Sequence, residues 1–146
     1  MRIFLTIILI ALSAFSFSQE MDPIEKISNP PLITASNAST FSSYDNTLES
    51  VVNYFFASQI RKDKEWEKVV SSPQEQTELM QHILHKYETR TITKVQLSGK
   101  VEYQKGKFWV FVNVEMVDNG RTNKVFGRVE VELINSKLVI TGGLPD

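Results

Sequence analysis

The sequence contains no cysteine, which removes several kinds of chemistry at once. Without thiols the chain has no disulfide bonds, no lipid-modified cysteine and no cysteine nucleophile. Glycine is also scarce, with six residues in 146, and these form no glycine-rich phosphate loop. No Ser/His/Asp arrangement around a nucleophile elbow is present either. The fold must therefore be stabilised by packing alone, and we expect no cofactor.

A predominant charge of one sign is lacking as well. The chain carries 16 Lys and Arg residues against 17 Asp and Glu residues, which gives a formal net charge of −1. Nucleic acids and anionic membranes are recognised by clustered basic residues. The balance therefore predicts that neither nucleic acid nor an anionic membrane surface is a partner.

Residues 1–18 have the features of a secretory signal peptide. An N-terminal positive charge precedes an almost wholly apolar stretch at residues 3–15, and Ser16 and Ser18 supply the small side chains of a cleavage site before Gln19. As a helix, residues 3–17 span only about 22 Å, less than the ~30 Å hydrocarbon core of a bilayer. We expect cleavage between Ser18 and Gln19, a periplasmic or secreted mature chain, and no stable membrane anchor after cleavage.

Residues 19–45 contain three prolines and many Ser, Thr and Asn side chains, without a sustained hydrophobic period. Such a composition buries too little apolar surface to offset the entropy of ordering the chain, so it predicts a flexible linker. The folded part is predicted over residues 46–146 as a single domain.

The first half of this domain has the periodicity of helices. Asn46 with a glutamate three residues on is a capping-box signature, and the spacing predicts a helix over about residues 47–61. A shorter helical piece contains Trp66, and Ser72 followed by proline predicts the start of a third helix that ends near Tyr87. The apolar positions of the first and third helices are Leu48, Val51, Val52, Phe55, Phe56, Ile60, Leu79, Met80, Ile83, Leu84 and Tyr87.

After Thr89 the hydrophobic period changes from 3.6 to 2, which predicts strands. Turn signals at residues 104–107, 118–120 and 135–137 divide this region into three long strands and a short one. The predicted inward residues are Val95, Leu97, Gly99, Val101, Tyr103, Phe108, Val110, Val112, Val114, Met116, Val125, Gly127, Val129, Val131 and Leu133. We predict an α+β fold in which N-terminal helices pack on a curved antiparallel sheet of about four strands.

The order of these parts resembles the nuclear-transport-factor-2-like superfamily of α+β cones. The resemblance rests on a first helix that ends in aromatics (Val51-Val52-Asn53-Tyr54-Phe55-Phe56), a short piece with a tryptophan, a third helix and then the strands. The resemblance covers residues 46–141. The chain is similar in particular to small exported bacterial members of unknown function. The last hairpin departs from the Gly-Lys-Trp-like pattern of such domains, because this chain has Ser136-Lys137-Leu138. The resemblance implies a cone-like fold and a dimer through the outer sheet face.

A pocket between the helices and the sheet is one expectation for function. Its predicted walls are Val51, Phe55, Trp66, Ile83, Val110, Val112 and Val129. A solid core would require apolar residues at the same positions, so pattern alone does not separate the two. We expect an exported, non-catalytic module that binds a small apolar ligand or a protein partner.

The only two histidines lie on the third predicted helix. Glu78, His82 and His85 have the i, i+4, i+7 spacing that places potential metal ligands on one helix face. That face is opposite the apolar stripe, so a solvated surface is the simpler interpretation, and we predict no metal site.

Two other functions are open alternatives. Isomerases and dehydratases of the cone superfamily place an acid or base inside the cone, as the resemblance implies, but the inward strand positions here carry no carboxylate or histidine. A cystatin-like protease inhibitor shares a helix followed by an antiparallel meander. Its Gln-x-Val-x-Gly hairpin has only a displaced counterpart in Val95-Gln96-Leu97-Ser98-Gly99.

Large apolar side chains also occupy the opposite face of the predicted sheet. Trp109 and Phe111 alternate with the inward residues of their strand, and Phe126 has the outward parity of the next strand. An apolar patch on a face exposed to water predicts a partner surface, and a homodimer is one candidate. The alternative is that the linker covers these side chains or that they curl into the cone.

Overall fold

The computed structural model describes residues 22–23 and 26–146. The predicted signal peptide at residues 1–18 and its cleavage site before Gln19 lie outside the described residues. The two α-helices are α1 (Leu48–Arg61) and α2 (Glu78–Thr89), with 3₁₀ turns at Ala38–Phe41, Glu65–Val69 and Pro73–Glu75. The strands are β1 (Asp22–Pro23), β2 (Ile33–Thr34), β3 (Thr91–Gln104), β4 (Lys107–Asp118), β5 (Arg121–Ile134) and β6 (Lys137–Gly142). The helices pack against the antiparallel sheet, which confirms the α+β class.

The strands β3, β4, β5 and β6 form a meander, and the two short strands pair with the other edge of β3. The connecting turns are Lys105-Gly106, Asn119-Gly120 and Asn135-Ser136, and both residues of each turn have positive φ. Two-residue turns of this kind match the right-handed twist of antiparallel strands. The predicted turns and the meander are therefore confirmed. Within the described residues, neither helix has the length and hydropathy to cross a bilayer.

One continuous core lies between the helices and the inner face of the sheet. Alternate residues of each long strand meet the apolar stripe of α2 and much of the surface of α1. Two predicted core residues are instead exposed. Leu79 is 66% exposed, because it lies in the first turn of α2 at the margin of the stripe, and Leu133 is 58% exposed beside the last hairpin turn.

The N-cap of α1 differs from the prediction by one residue. Thr47, not Asn46, caps the helix, and its Oγ1 accepts a hydrogen bond from Ser50 N at 3.2 Å. Asn46 bonds to the last hairpin instead, where its Oδ1 accepts from Leu138 N at 2.8 Å and its Nδ2 donates to Ser136 O at 2.9 Å. Threonine and asparagine offer similar cap acceptors, so the sequence signal cannot separate adjacent candidates.

The start of α2 is also later than predicted. The Ser72-Pro73 signal produces only a 3₁₀ turn, and α2 begins after Thr77, whose Oγ1 accepts from Met80 N at 3.1 Å. At its other end, Lys62 Nζ donates to the carbonyl oxygens of Tyr87 and Arg90. A cation at a helix C-terminus satisfies free carbonyls and opposes the negative end of the helix dipole.

The prediction of a flexible linker is wrong from residue 26 onward. Ile33 and Ala38 are buried against Ala57 of α1, and Phe41 packs beside them. Arg61 Nη1 donates to the carbonyl oxygen of Ala38 at 2.7 Å. These apolar anchors are too few and too irregularly spaced to give a helical or strand period, which explains why composition alone suggested a linker. This N-terminal segment, residues 26–45, covers α1, so that residues 51–59 are buried on every side.

The start of this segment contacts β3 at a β-bulge. Ile27 N donates to Gly99 O at 3.0 Å, and a Cβ at Gly99 would lie 2.9 Å from Ile27 O. Gly99 also has φ +94°, a conformation that favours glycine. The predicted inward position at Gly99 is therefore a place of close backbone approach within an irregular part of the strand.

The last residues are held against α2 and the sheet. Leu144 and Pro145 are buried, and the Tyr87 hydroxyl donates to Pro145 O. Gly127 makes room for them, because a Cβ there would approach the Pro145 ring to 3.0 Å. Asp146 forms ion pairs with Lys86, which lies on α2, and with Arg90, which directly follows the helix.

Candidate functional site

The residues predicted to line a pocket come together inside the core. Val51, Phe55, Trp66, Ile83, Val110, Val112 and Val129 are all buried in one cluster. A cleft of about 340 Å³ lies between α2 and the 3₁₀ turns, and Trp66 is the one member of this set that lines it. The other six face packed neighbours; the Phe55 ring, for example, meets Trp66 edge-on with centroids 6.0 Å apart. A ligand pocket at these residues stays a prediction.

The three candidate metal ligands do not form a common site. Glu78, His82 and His85 are exposed on α2, and no three His, Asp or Glu side chains within the described residues form a group able to hold a metal ion. His85 Nδ1 lies 3.6 Å from Glu88 Oε1, which is a contact between two exposed side chains. The helical spacing places the three residues on a solvated face without bringing them to a common point.

The outer face of the sheet carries the three predicted aromatic residues. Phe126 is 60% exposed, and its ring stacks with Phe111 at a centroid distance of 5.9 Å and an interplanar angle of 24°. Trp109 and Phe111 are only half-buried. All three therefore lie on the face opposite the helices, as the strand alternation predicts.

Cationic side chains cover two of these rings. The Arg128 guanidinium lies 4.1 Å from the Trp109 ring centroid, and Lys100 Nζ lies 4.7 Å from that of Phe111. A cation over an aromatic face stabilises by roughly 0.5–1 kcal/mol at exposed sites. Trp109, Phe111, Phe126, Lys100 and Arg128 together form what we call the aromatic-basic face.

A cleft of about 360 Å³ adjoins this face. Leu32, 46% exposed, comes from the N-terminal segment at the β3 edge, and Phe126 lies on β5 at the other side. Gln96 and Asn113, which are partners in the β3–β4 register, lie between them. Gln96 Nε2 donates to Pro30 O at 2.9 Å, so the segment that carries Leu32 is tied to the sheet. The cleft thus has apolar sides and an amide-bearing base.

Basic side chains border the cleft without acidic partners. Lys94 and Lys124 line it, Arg128 lies two residues from Phe126, and none of the three forms an ion pair within the described residues. Glu115 also lines the cleft and stands between Lys94 and Lys124 in the strand register, and its Oε2 accepts from Thr93 Oγ1 at 3.1 Å. This end of the outer face therefore carries three cationic side chains against the one carboxylate of Glu115.

The opposite end of the outer face contains two Lys–Glu ion pairs. Lys100 pairs with Glu102 at 3.1 Å, and Lys107 pairs with Glu130, also at 3.1 Å. The hydrogen bond that Lys107 donates to Glu130 raises the pKa of Lys107. The Thr141 hydroxyl adds a further hydrogen bond to Glu130 at 3.0 Å. Glu102 and Glu130 therefore already have partners on their own chain.

The core contains two tyrosine hydroxyls and, among the described residues, no buried Asp, Glu, His, Lys or Arg. Burial raises the pKa of Tyr87, whose hydroxyl donates to Pro145 O. Burial and a hydrogen bond to Glu65 raise the pKa of Tyr54. Both hydroxyls stay protonated near neutral pH and serve as hydrogen-bond donors within the fold.

The segment compared with an inhibitor hairpin lies within β3. Val95 and Leu97 are buried core residues, and the amide of Gln96 is bonded to Pro30. A segment paired on both sides inside a strand does not have the form of a projecting hairpin.

No protein-family model, curated protein sequence or solved structure matches the chain. The candidate site is therefore defined by its own geometry, which consists of the aromatic-basic face and the adjoining cleft.

Strand alternation predicts the aromatic residues of this site and places Arg128 at the outward parity of Phe126. The same alternation puts Lys94 and Lys124 on this face, although neither lysine is among the residues singled out from the sequence. Leu32 could not be found in this way, because it belongs to a segment without a period.

Proposed function

We propose that the protein is an exported, non-catalytic binding domain that contacts another protein chain through the outer face of its sheet. Export rests on the signal-peptide features of residues 1–18. The helices on a curled antiparallel sheet support assignment to the cone type of fold that the sequence resembles.

A binding role is supported over catalysis by where polar chemistry lies. The inner face of the described sheet is apolar, and the two buried tyrosines are occupied by structural hydrogen bonds. Proton transfer at neutral pH needs a positioned acid or base with a suitable pKa. The described interior offers none, which favours the outer surface as the functional one.

The exposure of Phe126 beside Phe111 and Trp109 is the observation that carries the proposal. Aromatic and arginine side chains are enriched in protein interfaces and supply most of the residues whose loss weakens binding strongly. Here an exposed phenylalanine, a tryptophan and an arginine are neighbours on one face that no described helix covers. A second copy of the chain is one candidate occupant.

The test is a comparison of three immobilised proteins, namely the exported chain, Phe126→Asp and Leu79→Asp. Leu79 is the matched control, because it is similarly exposed but lies on α2. Each is exposed to envelope and secreted proteins of the cells that naturally make it, and bound chains are quantified by mass spectrometry. We expect a partner retained by the wild type and by Leu79→Asp, with about thirtyfold weaker binding to Phe126→Asp, the effect of an interface hot spot. Identical sets on all three proteins would contradict the proposal.

A further inference from the structure

The cleft between Leu32 and Phe126 combines three properties that together restrict its occupant. Its sides are apolar, its base carries the Gln96 and Asn113 amides, and two lysines, Lys94 and Lys124, border it against the one carboxylate of Glu115. Its volume of about 360 Å³ is near the lower end of the roughly 300–1,000 Å³ typical of ligand sites. An occupant must therefore supply apolar groups and negative charge over a short length.

We infer that this cleft binds an acidic, leucine- or phenylalanine-bearing segment of a different protein, an inference that rests on the proposed function of the outer face. One apolar side chain of the segment enters between Leu32 and Phe126, and flanking carboxylates meet Lys94 and Lys124. Arg128 is held in place over Trp109 at the same face and extends the positive edge. Burying the apolar side chain supplies affinity, and the charges give specificity and speed of association.

A second copy of the chain fits this cleft less well. The acidic residues that a copy would bring from its own outer face are Glu102 and Glu130, which already pair with lysines of the same chain, and Glu115 and Glu132, which each lie opposite a lysine of the same chain in the strand register. Breaking those pairs would offset the gain from new ones. Charge complementarity therefore favours a partner with unpaired carboxylates.

An acidic polysaccharide could satisfy the lysines as well, but the two apolar sides favour a peptide. Leu32 and Phe126 flank the cleft without hydrogen-bonding groups of their own. A sugar ring between them would lose hydration of its hydroxyls at the Leu32 side, where no side-chain donor compensates. An apolar amino-acid side chain has no such cost.

The test is a nuclear magnetic resonance titration of the ¹⁵N-labelled exported chain with synthetic probes. The main probe is a short peptide of alternating glutamate and leucine. The comparison probes are a lysine–leucine peptide, a glutamate–glycine peptide and polygalacturonate. We expect saturable shifts confined to amides around Lys94, Gln96, Asn113, Lys124 and Phe126 with the glutamate–leucine peptide, and at least tenfold weaker binding of the others.

Charge-reversal variants test whether Lys94 and Lys124 are responsible for binding the acidic peptide. Lys94→Glu/Lys124→Glu should weaken binding of the glutamate–leucine peptide about tenfold, the sum expected for two reversed surface charges. Lys105→Glu/Lys137→Glu makes the same change in net charge at two hairpin turns away from the cleft and should bind as the wild type does. The spectrum of each variant reports whether it is folded.

Several outcomes would overturn the inference. These are shifts spread over the surface, equal binding of the lysine–leucine peptide, binding of polygalacturonate alone, or a stable dimer in sedimentation that occupies these same amides. If one of them occurs while retention of a partner still depends on Phe126, the acidic chemistry is wrong and the proposed function stands. If the Phe126 dependence is also absent, both fail.

Discussion

Arg90 illustrates how a single side chain connects distant parts of this chain. Its Nη1 lies 2.9 Å from Asp146 Oδ1, and its Nε lies 3.4 Å from Asp118 Oδ2 near the β4–β5 turn. Lys86 Nζ reaches the other oxygen of Asp146 at 3.1 Å. The hydrogen bond from Lys86, assisted by Arg90, holds the pKa of Asp146 below its ordinary value. The ionised carboxylate therefore contributes to holding the last residues against α2.

Replacing this carboxylate should reduce stability in a pH-dependent way. At pH 7 we expect Asp146→Asn to lower the free energy of unfolding by about 1 kcal/mol, the upper end for a partly solvated ion pair. Because the folded-state pKa is lower than the ~3.9 of an unfolded aspartate, the contribution is complete above about pH 5. It is lost as the pH falls through the folded-state pKa. Urea unfolding at pH 7 and pH 2 measures the difference.

Asp45→Asn is the control for this experiment. Asp45 is exposed and forms no ion pair within the described residues, so its replacement should leave stability close to that of the wild type at both pH values. A deficit of Asp146→Asn that is equally large at pH 2 would show that the carboxylate charge is not the cause.

The sequence predicts some secondary-structure elements of this fold much better than others. The meander could be predicted because each long strand alternates apolar and polar residues and each turn contains residues that accept positive φ. The stripe of α2 was equally clear, apart from Leu79 at its margin. The N-terminal segment could not be predicted, because Ile27, Ile33 and Ala38 gain their burial from α1 and β3 and not from any local period.

The bulge at Gly99 is the element that joins this segment to the sheet, and it gives a sharp prediction. Gly99→Ala should destabilise the chain by about 2–4 kcal/mol, because a positive φ costs roughly 1–2 kcal/mol and the added Cβ also meets Ile27 O. The variant should also lose hydrogen-exchange protection at the Ile27 amide. Urea unfolding and hydrogen exchange monitored by mass spectrometry provide the two readouts.

Gly106→Ala separates the two causes. Gly106 has a similarly positive φ of +84°, but a Cβ there would meet nothing within 4 Å. It should therefore show only the conformational cost, with Ile27 still protected. Equal losses in the two variants, or full protection of Ile27 in Gly99→Ala, would mean that the contact with the segment has no energetic weight.

At the scale of the whole molecule, the two faces of the sheet differ in composition and in what covers them. The inner face is closed by α1, α2 and the N-terminal segment, and its described interior lacks a buried charge. The outer side of the sheet contains the aromatic-basic face and the adjoining cleft. Lys94 and Lys124, which form no ion pair within the described residues, also lie there. The sequence could indicate the aromatic residues by parity, whereas the cleft depends on where a non-periodic segment crosses the edge of the sheet.

The most direct measurement of the central claim is photo-crosslinking in the cells that naturally make the chain. Benzoylphenylalanine is placed at Phe126 in one strain and at Leu79 in another, since both side chains are large, apolar and similarly exposed on opposite sides of the molecule. We expect a discrete adduct with another protein from position 126, reduced by Lys94→Glu/Lys124→Glu, and none from position 79. Equal adducts from both positions, or none from position 126, would contradict it.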